Sequence, residues 1–219
     1  MTITQGAKRG AVFMLIFLIL FLALMFVSIV LNSVGISQNS NVFISSTALE
    51  IVFPASVIIY LWLYKKMNGR DMIKSLGLSK DKISFYMLGL GVLLFFIISI
   101  LGIGVGLIQS ITGTAINTNV AVEFAGAPLW FYLFASVITP ICEEVLFRGF
   151  MVPRIGIIVS ALIFGLLHFS YNSTFGIEII AATIFGLLAG YVFKKTGSLY
   201  PSILAHILVN TLAVAMLLK

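Results

Sequence analysis

Two adjacent carboxylates, Glu143 and Glu144, interrupt an otherwise apolar run, and Arg148 follows the second by four positions. The chain's two histidines, His168 and His206, lie in later apolar runs, and Asn210 comes four positions after His206. An ionisable side chain near the bilayer centre costs about 2.5–3.5 kcal/mol. Left unpaired there, Glu143, Glu144 and Arg148 would together cost on the order of 7–10 kcal/mol. They must pair with one another or line a hydrated cavity. Residues four apart share a helix face, so Arg148 holds Glu144 as a carboxylate. Glu143 is rotated by roughly 100° from Glu144 and points to another part of the bundle, where a carboxylate suits a general base. The same spacing puts Phe164 beside His168, as a packing partner, and Asn210 beside His206. Pro140, just ahead of the glutamates, removes a backbone hydrogen bond and kinks the helix. Cys142 reads as a small apolar filler rather than a nucleophile. A single cysteine permits neither an internal disulfide nor a multi-cysteine metal site.

The elements that must bring these groups together are membrane helices. Of 219 residues, 61% are hydrophobic and 9% charged, against roughly 25% charged in a soluble domain. The bilayer is therefore the main solvent for this surface, and the expected fold is all-α, a polytopic transmembrane helical bundle forming a single domain over 1–219. A crossing needs about 20 apolar residues. That places spans at 11–34, 47–64, 86–110, 128–148, 156–171, 175–193 and 199–218, about seven, with room for an eighth short or re-entrant segment. The first run is too long for a signal peptide and reads as a retained helix.

The net charge of +6 falls in the gaps between spans, which is the positive-inside pattern. With the N-terminus cytoplasmic, the inner side carries Lys8 and Arg9; Lys65, Lys66, Arg70, Lys74, Lys80 and Lys82; Arg154; and Lys194 and Lys195. The outer loops, 35–46, 111–127 and 172–174, carry no lysine or arginine, and only Lys219 departs from the pattern. The expected location is the plasma membrane, multi-pass, with the lipid bilayer as partner and no nucleic acid. The segment 65–85 reads as a topology-setting loop, with an amphipathic helix on anionic lipid as the alternative. Gly102 with Gly106, and Gly186 with Gly190, are spaced for close helix approach, which does not define an oligomeric state. Glu50 and Glu123 read as interfacial, and Glu178 has no assigned role. At 1.5 Å per residue Glu143 and His206 lie about 7 and 10 Å from the inner side, whereas His168 lies about 18 Å from it. This mismatch requires the 149–156 connection to sit low or the fifth helix to tilt.

Glu143-Glu144-Val-Leu-Phe-Arg148, Phe164-Gly-Leu-Leu-His168 and His206-Ile-Leu-Val-Asn210, the last preceded by Gly197-Ser198-Leu199-Tyr200-Pro201-Ser202, resemble the three motifs of the CAAX protease and bacteriocin-processing (CPBP, Abi-type) family. They occur in family order over residues 125–219, the expected catalytic core. The resemblance implies an intramembrane endopeptidase whose active site opens toward the cytoplasm and whose substrate is a membrane-associated peptide or protein. By position, Glu143 would activate the attacking water with His168 assisting, Arg148 would orient Glu144, and His206 and Asn210 would stabilise the oxyanion. The family is described both as metalloproteases and as metal-free, glutamate-dependent enzymes. Glu143, His168 and His206 would make an open three-ligand site for a divalent ion such as zinc, but the zincin spacing His-Glu-x-x-His is absent. Prenylated C-termini, bacteriocins and signal peptides are all family substrates, and no residue selects among them. Two other readings use the same side chains: a non-catalytic bacteriocin-immunity or scaffold protein of this fold, and an ion or proton transporter.

Overall fold

A computed structural model describes residues 3–112, 126–168 and 177–218. All regular structure among these residues is helical. The chain forms two compact units, Met1–Lys74 and Ser75–Lys219, and among the described residues six helices are long and apolar enough to cross a membrane.

In the first unit α1 (Ile3–Ser33) packs on α2 (Gln38–Ile59). Ser37 caps α2 by accepting the Ser40 N–H at 3.2 Å, so α2 begins within the segment 35–46 expected as a loop. Buried Asn41 then ties the pair together: its Nδ2 donates to the Ser28 carbonyl at 3.2 Å and to Asn32 Oδ1 at 2.7 Å. The early start of α2 also moves Glu50. It stands near the middle of the span Ser40–Tyr64 rather than at an interface, and its Oε2 is buried without a hydrogen-bond partner. The helix ends in a π-turn over Tyr60–Tyr64. Lys66 then adopts a left-handed conformation (φ 55°), with Met67 N–H donating to the Leu61 carbonyl at 3.1 Å. Instead of one long amphipathic helix, the basic segment that follows contains a short helix, α3 (Gly69–Ser75), and a 3-10 turn, Lys80–Lys82.

The second unit contains α4 (Phe85–Thr112), α5 (Leu129–Ile155), α6 (Ile157–Leu167), α7 (Ile177–Thr196) and α8 (Tyr200–Leu217). The core is drawn mainly from α5, α6, α7 and α8, while large apolar side chains such as Phe85 (94% exposed), Ile111 (83%) and Leu129 (70%) face outward. Such a surface is stable only in lipid. α6 packs along α7. A Cβ added at Gly186 would stand 2.9 Å from Ala161 Cβ, and one at Gly190 2.9 Å from Ile157 Cγ2. The Gly186/Gly190 pair therefore serves a contact within the bundle. Gly102 faces open space, so it supports no close packing. The expected fifth span is reduced to α6, whose 11 residues are about 16 Å long. Glu123 falls outside the described residues, and Glu178 lies in the first turn of α7.

The ends of α4, α7 and α8 share one side of the unit. Leu199 N–H donates to the Gly77 carbonyl at 3.0 Å, and Tyr200 Oη–H to the Leu78 carbonyl at 2.7 Å. Ser198 Oγ–H reaches the Lys82 carbonyl at 3.2 Å, and Lys82 Nζ the Thr196 carbonyl at 3.4 Å.

Candidate active site

The glutamate pair stands on a length of α5 that is regular only in the middle. A π-turn over Phe134–Ile138 leads into the α-helical turn Thr139–Glu144, and a second π-turn, Val145–Met151, follows. π-turns of this kind collect at functional sites. Pro140 gives the first a local cause. In the π-turn Thr139 N–H donates five residues back to Phe134 O. The next carbonyl, that of Ala135, would take the N–H of residue 140, which proline lacks. Asn210 of α8 supplies the missing donor, Nδ2–H to Ala135 O at 3.0 Å. The kink expected at Pro140 is therefore a widened turn whose orphaned carbonyl is answered from another helix. In the second π-turn the Phe147 carbonyl accepts Val152 N–H and also Ser160 Oγ–H of α6 at 2.7 Å. Ser160 is buried and has no sequence motif to announce it.

Arg148 Nη1 lies 2.9 Å from Glu144 Oε1, with both side chains essentially inaccessible. The contact has the distance of an ion pair but not the alignment of a hydrogen bond, since both Nη atoms and Glu144 Oε2 lack hydrogen-bond partners. The guanidinium is covered by aromatic faces instead, 4.1 Å from the Phe164 centroid and 5.0 Å from that of Phe185, a favourable environment for a desolvated cation.

His206 bridges the two carboxylates. Its Nδ1 is 2.9 Å from Glu144 Oε1 and its Nε2 is 3.4 Å from Glu143 Oε2. Glu144, acting as carboxylate, can only accept, so Nδ1 carries the proton and Nε2 is the nitrogen turned to Glu143. The ring packs on Phe185 at 4.8 Å and edge-on to Phe164 at 5.9 Å. His168 closes α6 and packs on the same phenylalanine, 4.5 Å between centroids. Its Nδ1 stands 2.9 Å from the Phe164 carbonyl. A carbonyl cannot donate, so Nδ1–H is the donor and Nε2 holds the lone pair. Phe164 thus touches Arg148, His168 and His206, a larger part than simple packing against His168.

The depth mismatch disappears in this arrangement. α5 runs to Ile155, and α6 starts after Gly156 (φ 86°). Glu143 lies 13 residues before that turn and His168 12 residues after it, so both sit about 18–20 Å from it at 1.5 Å per residue.

Of the six residues singled out, Glu143, Glu144, Arg148 and His206 are joined by direct contacts, and His168 adjoins them across Phe164. Asn210 is drawn to Ala135. Cys142 is buried beside the glutamates on α5. Among the described residues no group of three His, Cys, Asp or Glu side chains is arranged to hold a metal ion. Glu143 Oε2 and His206 Nε2 face each other at 3.4 Å, and His168 turns Nδ1 to the Phe164 carbonyl.

Residues 125–212 match the family described as Rce1-like, the type II CAAX prenyl endopeptidase Rce1-like proteins. A stretch of 78 residues is 33% identical to the uncharacterized protein YpbD of Bacillus subtilis (strain 168). That similarity covers 36% of this chain and 41% of the relative, so the chain spans about two fifths of the relative's length. No solved structure matches. The stretch that carries the Rce1-like match, 125–212, thus contains all six residues of the glutamate–histidine constellation.

Proposed function

We propose that this integral membrane protein is an intramembrane endopeptidase that hydrolyses a peptide bond of a membrane-associated peptide or protein. The supporting observation is one imidazole, His206, in contact with both buried carboxylates at 3.4 and 2.9 Å. Glu143 takes a proton from the attacking water, with His168 Nε2 assisting, as the water oxygen bonds to the scissile carbonyl carbon. The oxyanion accepts hydrogen bonds from the Asn210 N–H not spent on Ala135 and from Nε2–H of a doubly protonated His206 whose Nδ1–H stays with Glu144, a contribution that is commonly large. The protonated Glu143 then gives its proton to the leaving amine, releasing a carboxylic acid and an amine. Glu144 acts through His206: it accepts the Nδ1–H and fixes the ring's tilt, and Arg148 orients Glu144. No step is assigned to a metal.

The match to a prenyl endopeptidase family favours a substrate cut near a lipid-modified C-terminus, with bacteriocin and signal-peptide processing as related tasks. The lysine and arginine distribution favours a plasma-membrane protein whose site opens to the cytoplasm. The test is cleavage of a peptide library, including farnesylated peptides, by detergent-purified protein. Wild type cleaves and retains activity under chelation, whereas Glu143→Gln loses about 10²–10⁴-fold in kcat. Equal cleavage by the two proteins would remove Glu143 as the base, and loss on chelation with stoichiometric metal would replace the glutamate mechanism.

A further inference from the structure

At the end of α2, outside the glutamate–histidine cluster, lies a cavity of about 440 Å³ lined by Trp62, Leu63, Lys66, Met67, Asn68, Gly69 and Met72. We infer that this cavity binds the headgroup of an acidic glycerophospholipid, with the phosphodiester against Lys66 and the upper acyl chains against Trp62 and Leu63.

The chemistry of the walls points to an amphiphile with one negative charge. Trp62 is 60% exposed and Leu63 49% exposed, in the last turn of the span Ser40–Tyr64. That is where an indole settles between hydrocarbon and headgroups. Lys66 supplies an ammonium beside them. Its left-handed backbone (φ 55°) ends the helix and turns the chain into α3, which creates the concavity. A lysine is an unfavourable choice at such a φ, where glycine or asparagine fits without strain, and here it sets an ammonium on the cavity wall. The local charge agrees: residues 65–74 contain Lys65, Lys66, Arg70 and Lys74 against Asp71 alone. Asp71 does not line the cavity, and one of its oxygens is taken by Asn68 Nδ2–H at 2.8 Å. The volume lies in the range of small-ligand sites.

The full chain is purified in detergent with equal amounts of phosphatidylcholine and phosphatidylglycerol, and retained lipid is counted by native mass spectrometry. Phosphatidylglycerol should be retained in preference to phosphatidylcholine. Lys66→Gly removes the charge while relaxing the backbone, and should lower that retention about fivefold without lowering thermal stability. Lys66→Asn, neutral and also tolerant of this φ, should behave the same if the glycine variant folds poorly. Lys74→Ala, on the same basic segment but outside the cavity, should stay within about twofold of wild type. Excess inorganic phosphate should not displace the lipid. The inference is overturned by retention that follows the bulk lipid ratio, by a Lys74→Ala loss equal to that of Lys66→Gly, or by full displacement with phosphate, which would mark a simple anion site.

Discussion

Glu144 offers one oxygen to both Arg148 and His206, while Glu143 Oε2 faces the far nitrogen of the same imidazole. Neighbouring residues of one type thereby acquire different parts. Replacing Glu144 by glutamine strands a desolvated guanidinium, which should cost about 3–5 kcal/mol and appear as a large fall in detergent melting temperature. Glu143→Gln keeps the bulk and Arg148's partner, so its melting temperature should stay within a few degrees of wild type while cleavage is lost. A shared collapse in stability would mean that the two carboxylates act as one structural unit. Asn210 invites a double-mutant cycle. Asn210→Ala leaves the Ala135 carbonyl without a donor, at about 1–3 kcal/mol. In a Pro140→Ala background the backbone N–H returns and that cost should shrink. Equal costs in both backgrounds would show that Asn210 does not answer the carbonyl that Pro140 orphans.

Helix contacts put these side chains at one depth. α6 reaches the site because α7 presents glycine where α6 approaches, with no room for a Cβ at Gly186 or Gly190. Gly186→Val should therefore overpack the pair and destabilise the protein by about 1–3 kcal/mol. Gly102→Ala, in open space on α4, should be neutral or stabilising by about 0.5–1 kcal/mol through helix propensity. Thermal unfolding of the two variants separates a packed glycine from an unpacked one with the same sequence spacing. The π-turns of α5 explain why the helix continues through Arg148 and Pro153 to Ile155. A basic residue and a proline read as an ending in sequence, yet the arginine is neutralised within the helix and the widened turn accommodates the proline.

For the whole molecule, the contacts of residues 77–82 with 196–200 put the basic ends of α4 and α7 on one side. The four helices α4 to α7 between them must therefore make an even number of crossings, although α6 is only 11 residues long. Reporter fusions inserted after Lys80 and after Lys195 should accordingly score on the same side, and on the cytoplasmic side if the lysine and arginine pattern governs orientation. Opposite-side signals would separate α6 from the crossings and dismantle the hairpin that carries His168 to Glu143.

The sequence alone determined that the chain is a helical membrane protein, because its composition leaves no other solvent for the surface. It also singled out the candidate site residues, because ionisable groups in apolar runs are rare and stand out. Only the tertiary structure decided which carboxylate meets which nitrogen, where α5 ends and what Asn210 bonds. Those outcomes depend on π-turns, on Ser160 and Phe164 reaching across from another helix, and on glycine contacts. Each arises from distances between segments far apart in the chain, which a helical period of 3.6 residues does not encode.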